Sequence, residues 1–127
     1  MTPLAIAWRE GGRCFLYTSK IASIMYSVVL ITAPDRETAK KVARHVLEKR
    51  LAACVNMAGV SSMYWWEGKI EEADEVLLIV KTSADKVEEL IKEVKAIHPY
   101  QVPEIIALPI ASGYREYLKW VERETHA

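Results

Sequence analysis

From Tyr26 onward the apolar positions change period in a regular order. Tyr26-Ser27-Val28-Val29-Leu30-Ile31-Thr32 is short and β-branched, which predicts a strand. Ala33-Pro34-Asp35 ends it. The Asp35 carboxylate is placed to accept from the first free amides of a helix and to complement its dipole. In that helix Ala39, Val42, Ala43, Val46 and Leu47 recur at i, i+3, i+4, i+7 and i+8, one apolar stripe. Arg36, Lys40, Lys41, Arg44, His45 and Glu48 fall toward the other side, where His45 reads as solvated.

A long extended run follows, from Ala52 to Trp66. Asn56-Met57-Ala58-Gly59 interrupts its pattern and predicts a bulge. Its partner is the apolar segment from Glu75 to Thr82. A Glu67-Gly68-Lys69 turn and the acidic Glu71-Glu72-Ala73-Asp74 stretch lie between them, so the two describe a long hairpin. Asp85 and Glu88, spaced as a capping box, open a second helix with the stripe Val87, Leu90, Ile91, Val94 and Ile97. Pro99 stops it. Ile105 to Ile110 predicts another strand, at an edge because Pro109 cannot donate to a ladder. Tyr114, Tyr117, Leu118 and Val121 mark a last helix.

The order is β-α-β-β-α-β plus a C-terminal helix: an α+β, ferredoxin-like arrangement with an antiparallel sheet. Both helices then cover one sheet face. The other cannot be polar, because Ala52–Val55 and Val76–Val80 are apolar at both parities. A monomer would expose more apolar surface than monomers tolerate, so self-association is expected. The aromatics Tyr64-Trp65-Trp66 at the hairpin end point the same way, since each can bury roughly 150–250 Å2.

Length and charge narrow the classes. A chain of 127 residues with 51% hydrophobic residues is expected to form one folded domain. Residues 1–24 have no clear period. They read as an N-terminal arm, disordered or upstream of the true start, with the domain over 25–127. Seventeen basic residues balance seventeen acidic ones, which gives no electrostatic reason for a nucleic-acid or membrane partner. Cys14 and Cys54 are far apart and form no ligand pair. Cys54 reads as a small hydrophobe, and the expected compartment is the reducing cytoplasm. His126 reads as part of a frayed tail.

Catalytic chemistry finds no foothold. No Ser or Cys sits in a glycine-flanked elbow, and no glycine-rich phosphate loop joins a strand to a helix. Glu67, Glu72 and Glu104 are carboxylates without an implied substrate. No catalytic residue is assigned.

Several blocks together resemble the CutA family of divalent-cation tolerance proteins. They are Thr32-Ala33-Pro34-Asp35, Leu51-Ala52-Ala53-Cys54-Val55-Asn56, Tyr64-Trp65-Trp66-Glu67-Gly68-Lys69, Val80-Lys81-Thr82, His98-Pro99-Tyr100-Gln101-Val102-Pro103-Glu104 and Tyr117-Leu118-Lys119-Trp120. The resemblance covers Tyr26 to Glu122. It implies a PII-like homotrimer whose hairpins extend neighbouring sheets, a role in the response to metal ions, and no enzymatic activity. No cofactor is required, with copper or another divalent cation as the implied ligand. The alternative is a PII-like signalling module that takes a small anionic ligand or nucleotide between subunits.

Two candidate sites follow. His98 and Glu104 offer an imidazole and a carboxylate on a proline-stiffened loop, suitable for copper or zinc. Ile31 and Ile97 are apolar where some family members carry Cys and His, so the ligand count is short of the usual three or four. The plain alternative is that His98 complements the end of its helix. The second site is an intersubunit cleft formed by Tyr64, Trp66, Glu67, Lys81, Tyr100, Glu104 and Trp120, with Trp65 nearby. Apolar walls with a few polar groups suit a small ligand, and the same aromatics also suit interface packing.

Overall fold

The computed structural model of the chain describes residues 25–127, and the N-terminal arm expected over 1–24 lies outside the described residues. The elements are β1 (Tyr26–Ala33), α1 (Arg36–Glu48), β2 (Cys54–Trp66), β3 (Lys69–Ser83), α2 (Val87–Ile97), β4 (Ile105–Pro109) and α3 (Arg115–Thr125). The strands form one antiparallel sheet in the order β2-β3-β1-β4. The β-α-β-β-α-β order with an added C-terminal helix is therefore present. Pro109 ends the edge strand β4, opposite Ser27, where its missing N–H interrupts no interior ladder.

The core lies between the sheet and helices α1 and α2. Val29, Ile31, Leu78 and Val80 project from one sheet face and meet Ala39, Val42, Val46, Leu90 and Val94, all buried. Side-chain alternation puts Val28, Leu30, Leu77 and Ile79 on the opposite face. Helix α3 crosses one end of that face, where Ser83 Oγ lies 2.7 Å from Thr125 Oγ1. Arg50 ties the same helix to the α1–β2 connection through a 2.7 Å contact with Glu124. Beyond α3 the face stays open. Val28, Leu30, Leu77 and Ile79 are only half-buried, and Ile106 and Leu108 are exposed.

The α1 cap forms as its sequence predicts, with Thr38 N donating to Asp35 Oδ1 at 2.7 Å. Three local expectations are corrected. The register from Cys54↔Lys81 to Trp66↔Lys69 is unbroken, so Asn56–Gly59 holds no bulge. The acidic stretch Glu71–Asp74 is strand, because β3 begins at Lys69; its carboxylates stay solvated beyond the reach of the helices. The Asp85–Glu88 capping box is absent. A 3-10 turn over Ala84–Lys86 precedes α2, no side chain caps that helix, and Asp85 instead meets His126 Nε2 at 2.9 Å.

Candidate functional site

The β2–β3 hairpin closes in two residues. Glu67 (φ 50°) and Gly68 (φ 80°) both take left-handed backbone, the combination that matches the twist of a tight antiparallel pair. This fixes the pairing of Trp66 with Lys69, Trp65 with Ile70 and Tyr64 with Glu71. The outer hairpin has no helix over it on either side. Met63, Tyr64, Trp65, Trp66 and Ile70 are all exposed, Trp65 to 71%.

At the base of this hairpin lies a cleft of about 790 Å3, between the β2 residues Ser61–Trp66 and the loop Tyr100–Glu104. Thr32 and Glu75 form its floor. Its loop wall is held in place by His98, which is 8% exposed. The ring lies 2.8 Å from the Thr32 carbonyl through Nε2, so that nitrogen carries the proton and donates. Nδ1 accepts from Tyr100 N–H at 3.1 Å. Both ring nitrogens are thus engaged. The Tyr100 ring tilts against the imidazole with centroids 4.9 Å apart.

Tyr100 then reaches across the cleft floor. Its hydroxyl donates to Glu75 Oε2 at 2.6 Å. Burial first, and the Glu75 carboxylate second, push the phenol well above its ordinary value, so it stays a donor. Glu75 itself is 7% exposed. It faces the open side of the sheet, since Leu78 and Val80 face the core.

The candidates from the sequence divide between two places. Tyr64, Trp66, Tyr100 and Glu104 line the cleft together. Glu67 sits at the hairpin turn, outside it. Lys81 lies six residues along β3 from Glu75, roughly 20 Å at strand rise, and contacts Asn56 Oδ1 and the Ile79 carbonyl. Trp120 is on α3, packed on Tyr117 with centroids 5.5 Å apart. Lys81, Glu67 and Trp120 therefore do not share a cleft with Tyr100 within one chain. Cys54 is not core: it is partly exposed on the open face, where its Sγ lies 4.0 Å from Asn56 Oδ1. Glu75 and Thr32 belong to the cleft without having been singled out. The signal for Glu75 was a carboxylate heading an apolar strand run. Among the described residues no three His, Cys, Asp or Glu side chains converge in a way that holds a metal ion.

Two histidines also differ from their sequence reading. His45 Nε2 lies 2.9 Å from Glu93 Oε1, linking α1 to α2. That hydrogen bond, with Lys49 nearby, holds the Glu93 carboxyl below its ordinary range. His126 is tied down by Asp85 and by the Glu122 carbonyl at 2.9 Å, so this tail is latched in place.

A four-stranded α+β sandwich with a projecting hairpin and a ligand-sized cleft at its base defines the class of protein at hand. Residues 27–124 match the CutA1 divalent ion tolerance protein family, and the chain belongs to that family. The divalent-cation tolerance protein CutA of Thermus thermophilus is 52% identical over 102 residues, covering 80% of this chain and 99% of the relative. The structure of the periplasmic divalent cation tolerance protein CutA from Archaeoglobus fulgidus matches with a TM-score of 0.78 at 48% identity, covering 80% of this chain and 99% of that one. The CutA1 structure from Oryza sativa gives 0.77 at 44%, covering 80% and 94%. No described helix is long and apolar enough to cross a membrane.

Proposed function

We propose that this chain is a non-enzymatic homotrimer acting in the response to divalent cations, and that it binds such a cation weakly in the cleft at the hairpin base. The observation that carries the assembly is the open sheet face. Ile106 and Leu108 are exposed there beside half-buried Val28, Leu30, Leu77 and Ile79, and the hairpin aromatics are exposed beyond them. A contiguous apolar surface of this kind is the usual mark of an interface.

For the cation, Glu104 is the ligand of choice, with Glu75 behind it on the same cleft. His98 joins them only by giving up its bond to Thr32 or to Tyr100. A cytoplasmic site of action completes the reading, in keeping with Cys54, which forms no disulfide among the described residues. The PII-like alternative, an anionic ligand or nucleotide, has less support, because the cleft lining holds two carboxylates and no Lys or Arg. Calorimetric titration with Cu2+, Zn2+ and a nucleotide panel separates the two. Heat from the metals that falls in Glu104→Gln supports the first reading, and saturable binding of a nucleotide alone overturns it.

A further inference from the structure

Beside a weakly held metal ion, the lining of the cleft also suits an organic cation. Glu75 is a carboxylate more than nine-tenths buried, with one oxygen spoken for by Tyr100. Its other oxygen has no hydrogen-bond partner among the described residues, and no Lys or Arg lines the cleft. A buried carboxylate without a counter-charge is costly, so a cation arriving here is rewarded electrostatically. The walls are aromatic, with Tyr64 and Trp66 on the hairpin and Tyr100 on the loop. Aromatic faces attract ammonium and guanidinium groups and add little to the binding of a small hydrated metal ion. A metal asks for three or four ligands, whereas one carboxylate and two or three rings suffice for an organic cation.

We propose that this cleft binds an ammonium or guanidinium group, with Glu75 as its counter-ion and Tyr64, Trp66 and Tyr100 as its aromatic wall. The inference rests on the reading of the cleft as the binding site and adds a ligand class to it. The same group can arrive on a free small molecule or on a Lys or Arg side chain of a second copy. Chemistry at the site is the same for both.

The test uses the full chain and follows tryptophan emission and light-scattering mass together, with butylammonium and butylguanidinium as probes and butyrate as control. A saturable response to the cations alone, at constant mass, with half-saturation raised about tenfold or more in Glu75→Gln, identifies a free-ligand site. A fall in mass on adding the cations, reproduced by Glu75→Gln without them, identifies a side chain of a second copy as the occupant. Tyr64→Leu, on the exposed hairpin, weakens either response and serves if the Glu75 variant does not fold. No change in emission or mass with any probe or variant overturns the proposal, as does an equal response to butyrate. Copper titrated in parallel keeps the two readings apart: metal binding that is intact beside silence toward both organic cations sinks this inference alone.

Discussion

Tyr100 donates to Glu75 across 2.6 Å, joining the loop after α2 to the middle of β3 and placing a buried carboxylate on the cleft floor. Removing the donor leaves that charge without its hydrogen bond. Tyr100→Phe is therefore expected to cost about 1.5–3 kcal/mol, the range for hydrogen bonds to charged groups, measured by urea unfolding. The pH dependence carries a second signature. A phenol whose pKa is raised on folding contributes fully below its unfolded value of 10.0 and loses that contribution as pH climbs above it. Wild type should weaken beyond pH 10.0 more steeply than Tyr100→Phe, and parallel curves would count against the bond.

His98 is expected to act through the fold. His98→Ala removes the donor to the buried Thr32 carbonyl and the acceptor for Tyr100 N–H. A loss of about 1–3 kcal/mol follows in chemical unfolding. Copper or zinc affinity should fall far less in a folded His98→Asn variant than in Glu104→Gln. The reverse order would make the imidazole the metal ligand.

The C-terminus is latched by His126 and Asp85. The hydrogen bond that His126 Nε2 donates to Asp85 raises the His126 pKa above 6.5, and the same contact lowers that of Asp85 below 3.8. The histidine share of the stability is whole below pH 6.5 and fades as pH rises through the folded value. The aspartate share is present above pH 3.8 and is lost as pH falls. An NMR titration of the His126 imidazole should give a midpoint above 6.5 that drops in Asp85→Asn. An unchanged midpoint would show the contact to be absent in solution.

The hairpin turn depends on Gly68, whose φ of 80° an L side chain resists. Gly68→Ala is expected to cost about 1–2 kcal/mol at this turn. Amide exchange should quicken near Trp65, Trp66, Lys69 and Ile70 and stay unchanged in α1. Uniform quickening through the chain would mean that the turn is coupled to global unfolding.

Much of the fold was legible in the chain because its signals were local. The stripe from Ala39 to Val46 and the Asp35 cap need only one helix to be read. The β-branched run of β1 and the edge position of Pro109 are equally local. Misreadings arose where a partner distant in sequence decides. Asp85 looks like a cap, yet His126 takes its carboxylate from 41 residues away. Glu71 to Asp74 are poor strand formers, yet pairing with Ser61 to Tyr64 holds them extended where both faces meet water. Gly59 suggested a bulge, yet it sits in an unbroken ladder opposite Val76, with open space where a side chain would be. The candidate site was half legible. The aromatic run and the His98–Glu104 loop stand out in sequence, but only the sheet register brings Glu75 to them and takes Lys81 away.

Assembly through the open face is tested most directly by the mass of the full chain in dilute solution, measured by light scattering or sedimentation equilibrium. Ile106→Glu provides the internal comparison, since a residue 49% exposed in the single chain tolerates charge unless a neighbour covers it. The expected result is three times the 14.4 kDa chain mass for wild type and a fall toward one chain in Ile106→Glu. A wild-type mass of one chain at micromolar concentration, unchanged by the substitution, would contradict the trimer and leave the apolar face without an occupant.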